Sequence, residues 1–302
     1  MKFHVALVLT FLWSCQRTNS PFEFPPIKEP SNNRTSPERI DLGEKLFFDP
    51  LLSSDSSISC GSCHQPNHAF SSPQPLTSGV HGSLAKRNVP VLINLAWSPY
   101  FMFEGGLPTL EKVSLSPIQD AMEMNLPFPE LIERLKSHSE YPSLFKKAYG
   151  EGPTPSSVVR ALAAYQRSIQ STQTRWDQFV TGRVELFNDA EKKGWQLFMG
   201  KAKCFSCHPP PLFTDFQFHA ILPYDGDDGR YRIDPRPAMK GAFKTPTLRQ
   251  MAFSAPYFHR GTAANLDEVL NAYASTKNTN ANVRLSKEEK AQLIAFLLTL
   301  SR

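Results

Sequence analysis

The sequence predicts a mainly α fold built from two similar units joined by long ordered loops. Three observations carry this expectation. Apolar residues recur at helical spacing in several stretches, and no stretch alternates apolar and polar residues long enough to make a strand. A helical stretch followed by Cys-x-x-Cys-His occurs twice, at Cys60-Gly-Ser-Cys63-His64 and at Cys204-Phe-Ser-Cys207-His208. Between these stretches the chain is punctuated by 26 prolines against 15 glycines, which marks ordered loops rather than a flexible low-complexity chain. At 302 residues there is enough chain for two compact cores or one large one.

The first segment lies outside the fold. Lys2 supplies a positive end, Val5 to Trp13 form a short apolar run, and Ser14-Cys15 follows. The run is too short to span a bilayer and reads as an export signal over residues 1–15. A Cys directly after such a run resembles a bacterial lipoprotein cleavage site, with Cys15 as the lipidated N-terminus and the only membrane attachment. An ordinary signal peptide cut elsewhere is the other reading. Both put the mature chain outside the cytoplasm, in the periplasm or cell envelope. Residues 16–35, rich in Pro, Asn and Ser, read as a tether.

Folding signals begin at Ser36-Pro37, an N-cap followed by proline at the first helical position. The helix runs through Ile40, Leu46 and Phe47 to Asp49-Pro50, and the first Cys motif follows. From Gln65 to Met124 the chain reads as loop, and loops of that length in compact domains are usually functional. Helices resume over residues 129–136 and 156–170, the second with Val158, Leu162, Tyr165 and Ile169 in one stripe. The next unit repeats the order of the first. Asn188 or Asp189 caps a helix through Trp195, Leu197 and Phe198 that leads into Cys204. Residues 265–273 place Leu266, Val269, Leu270 and Tyr273 on one helical face, and the last helix opens with the capping box Ser286-x-x-Glu289. The units divide as 36–175 and 176–302, each with the layout of a cytochrome c-like domain.

Cys-x-x-Cys-His is the attachment signature of c-type haem: two thiols add across the vinyl groups, and the adjacent His ligates the iron. Competing readings are weaker. Zinc needs two further ligands at short spacing, and no other Cys follows either motif. A thioredoxin-like pair sits in a βαβ pattern, absent here. Two covalent haems are therefore expected, on Cys60, Cys63 and His64 and on Cys204, Cys207 and His208. The net charge of +5 is spread without a Lys/Arg run, which argues against nucleic acid. The second axial position at each iron decides the chemistry, because Met suits electron transfer, Tyr stabilises oxidised iron, and a labile position admits substrate. His81, in Gly79-Val80-His81-Gly82, is a loop imidazole able to arrive or leave; a solvated surface His is its plainer reading.

Several blocks resemble the bacterial dihaem cytochrome c peroxidase/MauG family. They are Leu42-Gly43-Glu44-Lys45-Leu46-Phe47-Phe48-Asp49-Pro50, Arg87-Asn88-Val89-Pro90, Phe103-Glu104-Gly105, Ser116-Pro117-Ile118 and Glu123-Met124. Pro246-Thr247-Leu248-Arg249 and Ala255-Pro256-Tyr257-Phe258-His259 follow the second motif. The resemblance runs in order from about residue 37 to the C-terminus. It implies that the N-terminal haem is the peroxide site and that the C-terminal haem stores or relays electrons. By motif position, His81 matches the loop His that caps the peroxide haem at rest, and Glu123 matches the distal catalytic glutamate. A carboxyl there takes a proton from the near oxygen of H2O2 and returns it to the far one. Asn88, with the carbonyls of Ser254 and Pro256, matches the ligands of a calcium ion between the haems, and an all-oxygen site suits Ca2+.

Two departures stand out. Tyr273 occupies the position where the peroxidases proper have Met and the MauG-like branch has Tyr, so it is expected to ligate the second iron; its plainer role is to complete the apolar stripe. Phe103 stands where the family usually has Trp between the haems, and Gly106 and Val113 replace a nearby Arg and Gln. Trp97 is the alternative electron relay. The leading functional expectation is a peroxidase reducing H2O2 with electrons from a small periplasmic cytochrome c or cupredoxin. A MauG-like enzyme that oxidises Trp or Tyr of a partner protein is the alternative, and a non-catalytic dihaem electron carrier the third. The family also often forms homodimers.

Overall fold

The computed structural model describes residues 22–276 and 282–301. The signal segment, Cys15 and the start of the tether lie outside the described residues. The first half holds helices α1 (Pro37–Phe48), α2 (Cys60–Cys63), α3 (Leu110–Gln119), α4 (Phe128–Ser137), α5 (Tyr141–Tyr149) and α6 (Pro155–Ser168). The second holds α7 (Arg175–Val180), α8 (Asp189–Met199), α9 (Leu266–Ser275) and α10 (Lys287–Leu298). The predicted mainly α fold stands. The described residues add one two-residue antiparallel pair, β1 (Phe218–His219) with β2 (Phe243–Lys244).

Caps legible in the sequence form as written. The Ser36 hydroxyl accepts from the Arg39 N–H, and Pro37 occupies the first helical position. Asn188 and Ser286 each close a capping box with a glutamate three residues on. One stretch read as loop is not: α3 lies inside residues 65–124. Its buried face is only Leu110, Ser114 and Ile118, and it contains Pro117, so its apolar period is faint.

Each half has its own core. The first gathers Leu42, Leu46, Phe47, Leu131, Phe145 and Leu162; the second gathers Trp176, Phe198, Phe213, Leu293 and Phe296. In each, one helix pair dominates, α1 on α6 and α8 on α10. Both pairs touch through a glycine. A Cβ on Gly43 would run into the Ala161 carbonyl of α6, and one on Gly194 into the Gln292 carbonyl of α10. The repeated words Gly43-x-x-Leu46-Phe47 and Gly194-x-x-Leu197-Phe198 thus build the same crossing twice, each delivering the chain to a Cys motif.

The tether expectation fails for residues 22–35, which lie across both halves. Phe22 meets the edge of Trp176 at 5.5 Å, and Phe24 lies beneath the Arg249 guanidinium at 4.6 Å. The Trp97 indole donates to the Pro25 carbonyl at 2.7 Å, and buried Asn33 donates to Glu111 at 2.7 Å. Loops complete the junction. Arg87 of the first half forks onto Asp227 of the second at 2.7 and 2.8 Å and also reaches Glu104. Arg230 lies over the Phe218 ring and donates to the Glu104 carbonyl at 2.9 Å.

Candidate active site

One continuous cavity of about 1260 Å³ runs between the two Cys motifs. It exceeds the roughly 300–1,000 Å³ of an ordinary single-ligand pocket. Cys60, Cys63 and His64 line one end, and Cys204, Cys207 and His208 the other. The two motif histidines are held alike. His64 Nδ1 bonds the Phe70 carbonyl at 2.8 Å, and His208 Nδ1 bonds the Phe213 carbonyl at 2.9 Å. Enclosure lowers both imidazole pKa values, which favours the neutral ring. With Nδ1 held by a backbone carbonyl, Nε2 is the ring nitrogen that would ligate iron.

Glu123 sits on a tight turn after α3. Its N–H donates to the Asp120 carbonyl at 3.0 Å, and its carbonyl accepts from the Val80 N–H at 2.8 Å. Glu123 lines the cavity and is solvent-accessible. Its pKa is raised, by burial first and by the Asp120 carboxylate second. Its charge acts on both Cys60 and Cys63, so it stands at the His64 end.

Asn88 is buried in the wall, and its amide nitrogen donates to the carbonyls of Gln74 and Pro75 at 3.2 and 2.9 Å. That leaves its amide oxygen for another partner, and Ser254 and Pro256 line the same cavity. At the other end Leu266, Val269, Leu270 and Tyr273 of α9 all line the cavity, so the apolar stripe is the cavity wall. The Tyr273 phenol is pushed above its usual pKa by burial and by the nearby thiols of Cys204 and Cys207. Phe103 stands in the wall between, edge-on to Phe243 at 6.4 Å, and Phe243 stacks on His259 at 4.0 Å.

Two of the candidate residues stand off the cavity wall. His81 is exposed at the tip of a hairpin over residues 77–85, at φ 58°, near Asp55, and it does not line the cavity. Trp97 also stays off the cavity wall and packs on Phe24 at 5.1 Å. The sequence reading missed Lys244, which lines the wall two residues before Pro246. It also missed His219, paired with Asp215 at 2.9 Å beside Cys207. Lys244 had a signal, a cation two residues before the block Pro246-Thr247-Leu248-Arg249; His219 had none.

A family model for dihaem cytochrome c peroxidases matches residues 37–185. The methylamine utilization protein MauG of Methylorubrum extorquens is 36% identical, over 91% of this chain and 81% of its own length. The chain belongs to the dihaem cytochrome c peroxidase/MauG family. Cytochrome-c peroxidase IdrP1 of a Pseudomonas species is 31% identical, over 92% of this chain and 84% of its own. A crystal structure of a MauG-like protein associated with microbial copper homeostasis superposes with a TM-score of 0.86 at 28% identity. That match covers 94% of this chain and 95% of the other.

As a dihaem peroxidase family member the chain carries two haem c groups and is an oxidoreductase acting on hydrogen peroxide. The residues fit that cofactor. Each end of the cavity offers two thiols and an imidazole with Nδ1 already engaged. Burial pushes the Cys60 and Cys204 thiols up to about 12, so these are not free reactive thiolates in their own right.

Proposed function

We propose that this chain reduces hydrogen peroxide to water at the haem held by His64, with electrons passed through the haem held by His208. The donor is a small periplasmic cytochrome c or cupredoxin. The overall step is H2O2 with two electrons and two protons giving two waters. Haem iron supplies the redox chemistry of O–O cleavage. Glu123 supplies the proton movement: its carboxylate takes the proton from the near oxygen and hands it to the far one. The position of Glu123 in the cavity wall beside Cys60 and Cys63, on a turn tied at both N–H and C=O, carries this reading. In this reading His81 stands clear of the site, and a shift of its hairpin is required for it to cap the iron. Asn88 and the carbonyls of Ser254 and Pro256 are proposed to hold calcium, and Phe103 with Phe243 to fill the space between the haems. The chain is proposed to work in the periplasm or at the cell envelope, and lipidation at Cys15 is an expectation of sequence alone.

Tyr273 favours a second reading, in which two electrons come from Trp or Tyr side chains of a partner protein. Its phenol stands in the cavity wall near Cys204 and Cys207. Steady-state turnover of the dihaem protein with peroxide and a reduced cytochrome c tests the first reading. Glu123→Gln is expected to slow it by about 10²–10⁴-fold. Unchanged turnover in that variant removes Glu123 from the mechanism. Near-infrared and EPR spectra that show a phenolate at the His208 haem, together with no turnover of any small donor, favour the second reading instead.

A further inference from the structure

Among the described residues, the wall between the two haem sites carries an enclosed cation that no carboxylate meets. Lys244 lies on β2 and lines the cavity, with the Phe216 ring centroid 5.8 Å from its ammonium. Its charged neighbours along the wall are matched. Arg87 has Asp227 and Glu104, Arg260 has Asp225, and Lys290 has Asp267. Lys86 and Lys203 also border the cavity, but both are exposed and keep their water.

The position is held rather than loose. The Lys244 N–H donates to the Phe103 carbonyl at 2.8 Å, and Lys244 faces Phe218 across the strand pair. The next residue, Thr245, accepts from the Thr214 hydroxyl at 2.7 Å. An ammonium taken out of water without a counter-ion is costly. Burial alone brings Lys244 down to about 8, with no carboxylate opposing it. The cavity's own cofactors bring the missing anion, because haem carries propionate carboxylates.

We infer that the Lys244 ammonium is the counter-ion of a haem propionate in the wall between Phe103 and the His208 site. The assignment rests on the two-haem cavity and is the same whether a small donor or a partner protein supplies electrons. A positive charge fixed on a propionate favours the reduced iron, so Lys244 raises the potential of that haem.

The test uses dihaem holoprotein with Lys244→Met and Lys244→Arg, each checked for haem content. Midpoint potentials are read by spectroelectrochemistry and the propionate-bending region by resonance Raman. Lys244→Met is expected to lower the potential of one haem and shift its propionate band. Lys244→Arg is expected to keep the potential close to the parent value while shifting the band. Unchanged potentials in a fully loaded Lys244→Met protein overturn the inference. A lowered potential with an unmoved propionate band also overturns it, since a charge acts at a distance without contact. If Lys244→Met does not load haem, Lys244→Arg decides: a propionate band identical to the parent's overturns the assignment.

Discussion

Glu123 and Asp227 are carboxylates pushed in opposite directions, and each gives the protein a distinct pH response. Burial raises Glu123, and Asp120 adds to the rise. In the proposed mechanism the proton-accepting form is the carboxylate, so activity is expected to climb with pH through a limb lying above the ordinary carboxylate range near 4.3. Glu123→Gln removes that limb from the pH dependence of kcat/KM; a limb that persists in the variant belongs to another group. Asp227 is held well below the usual range, first by its hydrogen bond to Arg87. Its contribution to stability is complete above its unfolded value near 3.9 and fades as pH falls toward the lower folded value. Arg87→Met leaves a nearly buried carboxylate without its main partner and is expected to cost roughly 3 kcal/mol at pH 7. Denaturant unfolding at stepped pH checks this: the deficit should shrink below about pH 4, as the parent loses the same interaction.

The helix crossings that carry the two motifs depend on a single missing methyl each. At Gly43 and Gly194 the nearest atoms to an added Cβ are backbone carbonyls of the partner helix, which no side-chain rotation relieves. Gly194→Val is expected to cost about 1–3 kcal/mol through overpacking, and Gly43→Val a similar amount. Each variant should depress haem loading chiefly in its own half, read from the pyridine haemochrome spectrum of each isolated haem peptide. Equal loss from both halves would mean that the crossings are not separate. Much of this level was legible in the sequence. Caps such as Ser36, Asn188 and Ser286 act through residues three apart, and stripes such as Leu266 to Tyr273 repeat within a turn. What escaped was weak in local signal. The buried face of α3 includes Ser114, which donates to the Leu110 carbonyl, and the helix runs through Pro117. The segment over residues 22–35 reads as linker by composition, yet two aromatic anchors and Asn33 dock it. Glu123, Asn88 and Tyr273 stood out only through family motifs, because nothing local distinguishes them from surface or core residues. Trp97 and His81 could not be placed, since their settings depend on partners far along the chain; the Trp97 indole pairs with a carbonyl 72 residues away.

At the scale of the molecule, two cores are joined by the segment over residues 22–35 and by the Arg87–Asp227 junction. Phe24 touches both sides, with Trp97 of the first half and Arg249 of the second. Phe24→Ala is expected to cost about 1–3 kcal/mol and to split a single calorimetric transition of the holoprotein into two. A single transition at an unchanged Tm would show that the segment bears no part of the junction. The shared cavity has a consequence for measurement. One hollow serves both cofactors, so its dividing wall belongs to neither alone. A change at Phe103 or Phe243 is expected to alter the optical signature of both irons at once. Those two rings thus serve as a crosstalk control: a change at Phe103 or Phe243 recorded at one iron alone would show that the pair does not bridge the two sites.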